Sequence, residues 1–536
     1  MKKLKLVCVA IAMACATPTL AGGLLTNTNQ HVAFNRMMSR EASIGIDGVY
    51  YNPAGVVFMS EGHHLAINWQ LAFQSRTINN DYALFTNNVN NPITPRDFKG
   101  TAFAPVIPSF QYAYNKGKWS FQASFALTGG GGKCTFDDGL GSFEKIVAET
   151  AIAACGLAGV VDQTLGNTLG QPGMEMFTSD QAFGKTGKYS FNSYMHGRQY
   201  YYGLSVGAAY KFCDNFSAFL GVRGVYALTN YYGYVENINV GNMPLYKVLD
   251  PTKESSANIE LSCDQSGVGF TPIIGVDYKT GRWNFSAKYE FKTRIRLKNK
   301  SVNQTPSIGN LPANLANQMT GILTAKYQQA GLPLEQAKQQ AENTTNAVLN
   351  DPTVGATMIG LKTQFDQKLN KAIGEYEDGK KIAGDIPAYL ALGVGYSPVD
   401  AVRVNVGFHW FDDKNATSYN NRNKELKRGT LEYNAGVEVD VNKKITLSTG
   451  WQNTNYGLSD EYMDDKSFVV SSNSVAIGGV YHINKKMDLN VAYFHTFYQH
   501  KKTTETVQLT ADRSLNYSSD YTRNNNVFAV GLDINF

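Results

Sequence analysis

The sequence predicts an all-β membrane protein: an antiparallel transmembrane β-barrel of about fourteen strands, plugged by an N-terminal hatch and carrying helical extracellular loops. Three observations predict it. The chain begins with an export leader, an irregular charged segment follows, and the rest is a series of alternating strands joined by connections of alternating length. The composition agrees, because 28 Phe, 31 Tyr and 50 Gly with only 17% charged residues are typical of aromatic-rich strands and tight turns.

Residues 1–21 are predicted to be a signal peptide. Lys2, Lys3 and Lys5 precede an apolar run at 6–16, and small residues place the cleavage after Ala21. No later run reaches the ~18–20 apolar residues that a spanning helix needs. The exported chain is therefore either soluble or a barrel, and a barrel of this kind belongs in the outer membrane of a Gram-negative bacterium.

Residues 22–60 are predicted to form the hatch. The stretch 29–55 has the periodicity of neither a strand nor a helix, and it carries charges that lipid would not accept. Asn52, Pro53, Ala54 and Gly55 form a turn signal, because proline fixes φ and glycine permits left-handed backbone. We expect this segment to lie inside the barrel that residues 61–536 build.

The barrel strands are predicted from apolar alternation. Their ranges are 62–76, 104–115, 117–128, 196–212, 214–234, 258–279, 281–297, 384–397, 400–411, 427–440, 442–456, 468–482, 486–501 and 519–536. The connections alternate between tight turns and long loops, the longest being 129–195 and 298–383. Short turns on one side and long loops on the other are typical of outer-membrane barrels, and an even strand number puts both chain ends in the periplasm.

The faces of the strands support lipid outside and water inside. In 281–297 the odd positions are mostly apolar and the even positions are mostly polar or charged, so the even positions are predicted to face the lumen. A soluble sandwich also alternates, but so many strands fit poorly around one soluble core. The last strand ends in Phe536, as outer-membrane barrels usually do, and we expect the barrel-assembly machinery to bind it.

Two long loops are predicted to contain helices. Residues 143–161 are alanine-rich, 311–348 reads as two helices broken near 331–333, and a third helical pattern covers 358–376. These helices would either cap the extracellular mouth as a surface for a partner or substrate, or simply fill the loops.

An exported chain, the stretch 42–55 containing Asn52-Pro53-Ala54, and a barrel ending in phenylalanine together resemble the FadL/TodX family of outer-membrane transporters. The resemblance implies a hatch-plugged barrel that takes up long-chain fatty acids or aromatic hydrocarbons passively. It also implies an outer groove, a luminal pocket and lateral release beside a kinked third strand. The family's groove uses two neighbouring long helical loops, whereas the connection 235–257 between the two long loops here is short.

Gly129, Gly130, Gly131 and Gly132 follow the predicted third strand and are the candidate lateral opening, since four glycines supply no side chains to seal a wall. The alternative is an ordinary flexible loop start. Arg223 and Arg294 are the candidate contacts for a carboxylate head group. The alternative is that luminal charges pair with one another and with the hatch.

Cys134 and Cys155 would be permitted to form a disulfide in an oxidising envelope, and four unpaired thiols are the alternative. We predict no catalytic site, metal or cofactor. Removal of the three leader lysines leaves 46 basic against 44 acidic residues, a net charge near +2, which gives no argument for a nucleic-acid partner. The expected partners are a hydrophobic small molecule and outer-membrane lipid, with the protein a monomer. The rival functions are a general diffusion porin and a surface receptor or adhesin that uses the large loops.

Overall fold

The computed structural model describes residues 24–306, 308–510 and 513–536. The predicted signal peptide, residues 1–21, therefore lies outside the described residues. Eighteen strands form one antiparallel sheet, and fourteen of them make a closed barrel. The wall strands are β1 (Gly62–Tyr82), β2 (Arg96–Lys116), β3 (Trp119–Phe136), β4 (Tyr189–Lys211), β5 (Phe216–Val240), β7 (Ile259–Thr280), β8 (Trp283–Glu290), β11 (Tyr389–Val399), β12 (Val402–Phe411), β13 (Thr430–Asn442), β14 (Ile445–Asn455), β15 (Ser472–Asn484), β16 (Met487–Tyr498) and β18 (Arg513–Asn535).

The other four strands lie on the long-loop side. They are β6 (Met243–Pro244), β9 (Arg296–Gln304), β10 (Lys381–Ala383) and β17 (Lys501–Thr510). The first and last wall strands close the barrel, pairing without a break from His64 with Asn535 to Tyr82 with Tyr517. The prediction of a closed fourteen-strand barrel is confirmed.

Several strands extend further on the long-loop side than the sequence predicted. β1 continues to Tyr82 rather than residue 76, and β3 continues to Phe136 rather than residue 128. The outward side chains Thr77, Asn79 and Asp81 explain the miss, because a strand that projects beyond the membrane no longer needs an apolar outer face.

In the membrane region the alternation is as predicted. Trp69 and Phe73 on β1 point outward and are 50% and 44% exposed, whereas the neighbouring Asn68 and Gln70 are buried inside. Charge on the lipid face at mid-membrane costs about 2–4 kcal/mol, so the polar side of each strand faces the lumen.

The prediction that 281–297 is one strand with even residues inward was wrong beyond Glu290. Regular pairing stops there and resumes at Arg296, with only Thr293 bridging to Ile386 between. The break shifts the phase by one residue, so Thr293, Ile295 and Leu297 are buried while Arg294 is exposed. A periodicity of two cannot reveal such a slip when apolar residues continue at odd positions.

The long loops carry the predicted helices. They are α3 (Gly141–Leu169) in the first loop and α5 (Leu311–Gln329), α6 (Leu334–Leu349) and α7 (Pro352–Ile373) in the second, with a single turn, α4 (Tyr246–Leu249), between them. By length and composition α3 could cross a membrane, so the expectation that no later segment meets this criterion fails. Its Phe143, Val147 and Leu165 are buried in the cap over the barrel mouth.

Candidate functional site

The described part of the hatch, residues 24–58, lies inside the barrel. It contains two short helices, α1 (Val32–Met37) and α2 (Gly48–Tyr51), and nearly all of its residues are buried. It touches every wall strand in turn around the circumference. Because the barrel is closed, a segment that contacts all of its walls fills the lumen, which confirms the predicted plug.

The predicted hatch turn docks onto three strands. Asn52 Nδ2 donates to Asp277 Oδ2 at 2.5 Å on β7, and Asn52 Oδ1 accepts from the Gly55 amide at 3.2 Å. The Pro53 carbonyl accepts from Gln122 on β3, and the Ala54 carbonyl accepts from Ser217 on β5, both at 2.7 Å. These bonds satisfy buried backbone carbonyls that a turn leaves without partners, so the turn fixes the hatch to the wall.

Buried ion pairs fasten the hatch to β12 and β13. Arg36 pairs with Glu438 and donates to Ser448, and Glu438 also lies 3.8 Å from Arg40. Glu41 Oε1 lies 2.8 Å from His409 Nε2, whose Nδ1 is 2.8 Å from Glu432. Buried charges of this kind are retained only when they are paired. We call this set of pairs on β12 and β13 the charged latch.

Arg223 belongs to a second buried network rather than standing free for a ligand. Its guanidinium makes two bonds to Glu290, at 2.6 and 2.9 Å, and Lys288 reaches both Glu290 and the Tyr50 carbonyl of the hatch. The interpretation that luminal charges pair with one another and the hatch describes Arg223. Arg294 lies on the exposed face beyond the strand break, so the structure does not bring the two predicted head-group residues together.

The ladder between β2 and β3 is interrupted. Pairing runs up to Ser109 with Ala126 and resumes only at Ala102 with Cys134, leaving 103–108 and 127–133 without register. Pro105 and Pro108 lie in this stretch of β2 and have no N–H to donate, which explains the failure of the ladder on that side. We call these two stretches the wall gap.

The predicted glycine run forms the β3 side of the wall gap. A Cβ on Gly129 would lie 2.2 Å from the Leu25 carbonyl oxygen, and Gly130 has φ +70°. The hatch takes the place of β2 here. Asn27 N donates to the Thr128 carbonyl at 2.9 Å, and Asn27 Nδ2 donates to the Gly130 carbonyl at 2.7 Å. The glycines therefore admit the backbone of hatch residues 25–27 against the inside of the wall.

The wall gap is apolar and continuous with the hatch interior. Ile107 on β2 and Leu127 on β3 belong to one buried cluster with Phe34, Met38 and Tyr51 of the hatch. This cluster links the centre of the lumen to the unpaired stretch of wall through hydrophobic side chains only.

A cavity of about 430 Å³ lies above the hatch, between it and the loops. We call it the vestibule. The first described residues, Leu24 and Leu25, line it together with Tyr201, Leu297 and Ile382. Its far side is charged, where burial raises the pKa of Glu375 to about 7 although Arg422 and Lys466 oppose that rise. The vestibule thus combines an apolar wall with a polar wall.

Asp413 ties the start of the hatch to the vestibule. Its Oδ1 accepts from the Leu24 amide at 3.1 Å and its Oδ2 accepts from the Thr430 amide at 2.9 Å. Burial raises the pKa of Asp413 to about 6, although these hydrogen bonds favour the carboxylate.

A second, apolar cavity of about 130 Å³ lies among the loop helices. Helices α3, α4 and α5 line it, so the short connection between the two long loops supplies one of its walls. Representative lining residues are Val147, Leu157, Phe183, Leu245, Leu249 and Leu315. An apolar groove is therefore present, built from three loops rather than two.

No family model matches the sequence, and no curated protein matches it. Solved structures match its fold. The crystal structure of a Pseudomonas aeruginosa FadL homologue gives a TM-score of 0.58 at 14% identity, covering 96% of this chain and 100% of that one. The chain has the FadL-type barrel fold. The structure of a deltaS2S3 mutant of TodX, a monoaromatic hydrocarbon channel, gives 0.51 at 13% identity, covering 94% and 99%.

Cys134 and Cys155 do not form a disulfide in the structure. Both are buried free thiols, and Cys155 Sγ contacts the Phe183 carbonyl at 3.4 Å. The two residues lie in different elements, Cys134 on β3 and Cys155 on α3, so a permissive spacing in sequence was not enough. Sequence reasoning also missed Asn27, Pro105 and Pro108. Two prolines inside a predicted strand facing the glycine run were a usable signal for the wall gap.

Proposed function

We propose that this chain is a FadL/TodX-family channel of the Gram-negative outer membrane that takes up hydrophobic molecules passively, either long-chain fatty acids or aromatic hydrocarbons. One observation carries the proposal. The lumen is filled by the hatch, yet the wall has an unpaired apolar stretch that joins the hydrophobic cluster of the hatch. Because the hatch blocks the barrel along its axis and the β2–β3 ladder of the wall is interrupted, a hydrophobic ligand would leave sideways into the membrane.

The physics of the ligand favours a lateral route. Each CH₂ group prefers an apolar environment to water by about 0.8 kcal/mol, so a long alkyl chain gains nothing from a water-filled pore. We propose that the ligand binds the apolar groove of α3, α4 and α5, moves into the vestibule, and leaves through the wall gap. The protein then needs no cofactor and no energy source, only a concentration gradient.

The remaining expectations follow from the same proposal. Residues 1–21 direct export and are removed, the C-terminal strand ending in Phe536 is recognised by the assembly machinery, and the barrel works as a monomer. Outer-membrane lipid lies directly against the wall gap and receives the ligand. The NPA-containing turn seats the hatch, and residues 129–132 provide the opening.

The decisive experiment restores the missing ladder. In the double variant Pro105→Ala/Pro108→Ala, β2 regains two backbone amide donors in the gap stretch, which should narrow the gap and reduce uptake of labelled oleate and toluene by about tenfold. Uptake is measured in cells lacking other transporters for these compounds. The matched control is Pro398→Ala near the end of β11, beside the tight connection to β12, which should leave uptake unchanged. Equal uptake by the double variant and the wild type would refute lateral release.

A second experiment separates this function from a porin. Deletion of residues 29–55 should make the barrel leaky to antibiotics and raise its conductance in planar bilayers, because the hatch contacts all wall strands. The wild type should show low conductance together with oleate or toluene uptake. Large steady conductance of the wild type without uptake would favour the porin.

A further inference from the structure

One buried luminal cation has no partner in the described part of the chain. Arg76 on β1 is 0% exposed, and none of its three guanidinium nitrogens makes a hydrogen bond to residues 24–306, 308–510 or 513–536. Among the described residues no carboxylate lies within 4.0 Å of it. The other inward cations behave differently, since Arg36, Arg223 and Arg403 each pair with an acid.

A second arginine faces Arg76 across the closing seam of the barrel. Arg523 on β18 is its direct register partner and is 6% exposed, with Nη2 donating to Gln74 at 3.1 Å. Asn525 lies two residues along the same face and is 1% exposed, and neither its Oδ1 nor its Nδ2 has a hydrogen-bond partner in the part of the chain that the structure describes. Two guanidinium groups and an amide therefore converge on one patch of the inner wall.

Like charges buried side by side destabilise a protein unless an anion compensates them. A carboxylate is planar and accepts two parallel N–H bonds from a guanidinium, so it suits this pair better than a spherical ion does. The unpaired state of Arg76 thus points to a ligand that carries its own negative charge.

Aromatic rings flank the two guanidinium groups. The Phe468 ring lies 5.7 Å from the Arg76 guanidinium and the Tyr498 ring lies 5.0 Å from that of Arg523. Phe468 packs in a large buried cluster that includes Ile78. Its neighbours Ser467 and Val469 line the vestibule, so the arginine pair lies just behind the vestibule wall.

The pair also lies close to the wall gap. Arg76 is the register partner of Gly100 on β2, and the gap begins three residues further along β2 at Phe103. At about 3.3 Å per residue this is roughly 10 Å, shorter than an extended alkyl chain. A head group held by the arginines would leave its tail within reach of the opening.

We infer that Arg76 and Arg523 bind the carboxylate of a single-chain amphiphile, so that this barrel selects long-chain carboxylic acids over neutral hydrocarbons. This inference rests on the proposed function and narrows its ligand class. It assigns the head-group role to residues on the closing seam instead of Arg223 and Arg294.

The test measures binding of labelled oleate and of methyl oleate, its uncharged ester, to purified protein in detergent. The wild type should bind oleate at least about tenfold more tightly than the ester, the factor of one charge-assisted bonding pair. Arg76→Gln should remove that preference and leave ester binding within about twofold. The matched control is Arg198→Gln, which removes an exposed arginine on β4 and should change neither affinity.

Folding is checked separately by thermal unfolding. Arg76→Gln removes an unpaired buried charge, so the variant should unfold at the same or a higher temperature without ligand. Oleate should raise the unfolding temperature of the wild type and not of the variant. If the variant does not fold, Arg523→Gln and the conservative Arg76→Lys supply the same comparison, with Lys expected to keep part of the preference.

Three results would overturn the inference. They are equal wild-type affinity for oleate and its ester, an Arg76→Gln variant that keeps the preference, and displacement of oleate by millimolar acetate as effective as that by octanoate, which would mean a bare anion site. In the first two of these results the head-group assignment fails, but tight binding of the ester would still support a channel for hydrophobic molecules. If neither oleate nor ester nor toluene binds, the proposed function itself fails.

Discussion

The hatch meets opposite sides of the barrel in two different ways. On the β12–β13 side the ladder is continuous and the hatch is held by the charged latch, with His409 and Glu438 at its centre. On the β2–β3 side the ladder is interrupted, and the described contacts are neutral hydrogen bonds and apolar packing. The hatch is thus held by ion pairs at β12–β13 and by weaker neutral contacts at β2–β3. We call the β2–β3 side the soft side, because separating the hatch from the wall should cost less free energy there.

The largest expected effect comes from breaking the charged latch. Glu438→Gln removes the carboxylate that compensates Arg36 and Arg40, and breaking a buried pair in this way costs about 3–5 kcal/mol. The hatch should loosen, which planar-bilayer conductance and urea unfolding would both detect. Asp440→Asn, on the same strand but partly exposed, is the matched control and should cost under about 1 kcal/mol. Similar effects of both variants would mean that the latch does not hold the hatch.

The next effect depends on pH and concerns Asp413. Its pKa of about 6 in the folded protein exceeds the ordinary value of 3.8. Between these values the folded state keeps a proton that the unfolded chain releases, so the free energy of unfolding falls as pH rises from about 4 to 6, by on the order of 2–3 kcal/mol.

Asp413→Asn should abolish this slope. The measurement is the difference in unfolding free energy between wild type and variant from pH 3.5 to 8, which should change only between about pH 4 and 6. If the difference in unfolding free energy between wild type and variant did not depend on pH, the pKa of Asp413 would be the same in the folded and unfolded protein, and this prediction would be wrong.

A smaller effect is expected from weakening the contact between the hatch and the soft side of the wall. Asn27→Ala removes bonds to the Leu127 and Gly130 carbonyls, which should cost about 1–3 kcal/mol locally. Residues 24–28 should then exchange amide hydrogens faster while residues 36–41 at the latch do not. The control is Asn79→Ala, a partly exposed asparagine on the outer face of β1. Equal acceleration at both ends of the hatch would erase the distinction between the two sides.

The smallest expected effect is none. Cys134 and Cys155 are unbonded, so a reducing agent should leave the unfolding temperature unchanged. A disulfide closing that loop would contribute about 3 kcal/mol, and its reduction would lower the temperature visibly. A clear drop on reduction would therefore show that the β3 side of the wall gap is covalently fastened to the cap.

The barrel could be predicted from sequence because its driving force is local. The alternation of apolar and polar residues, such as Trp69 and Asn68, is enough to show which side of a strand faces lipid and which faces the lumen. The helices of the cap follow from equally local periodicity. The plug could be predicted because its charges suited neither lipid nor a strand.

The site was harder because it depends on partners far apart in the chain. Arg223 looked available as a head-group contact, but Glu290 on another strand occupies it. Arg294 was assigned to the wrong face by a strand break that alternation cannot show. That Arg76 has no partner among the described residues can be seen only once the lumen is assembled from strands far apart in the chain.

The join between the hatch and β1 limits how the hatch can move. Only residues 59–61 separate Phe58 from Gly62, the first residue of β1. The chain therefore keeps the Cα atom of Phe58 within at most about 14 Å of that of Gly62. The hatch therefore cannot swing out into the periplasm by its C-terminal end without unravelling itself. At the other end of the described hatch, the Leu24 amide donates to Asp413 and the Leu25 carbonyl lies against Gly129 of the wall gap. The covalent path of the chain therefore restrains the hatch at Phe58, whereas the described contacts of Leu24 and Leu25 with the wall gap and Asp413 are noncovalent.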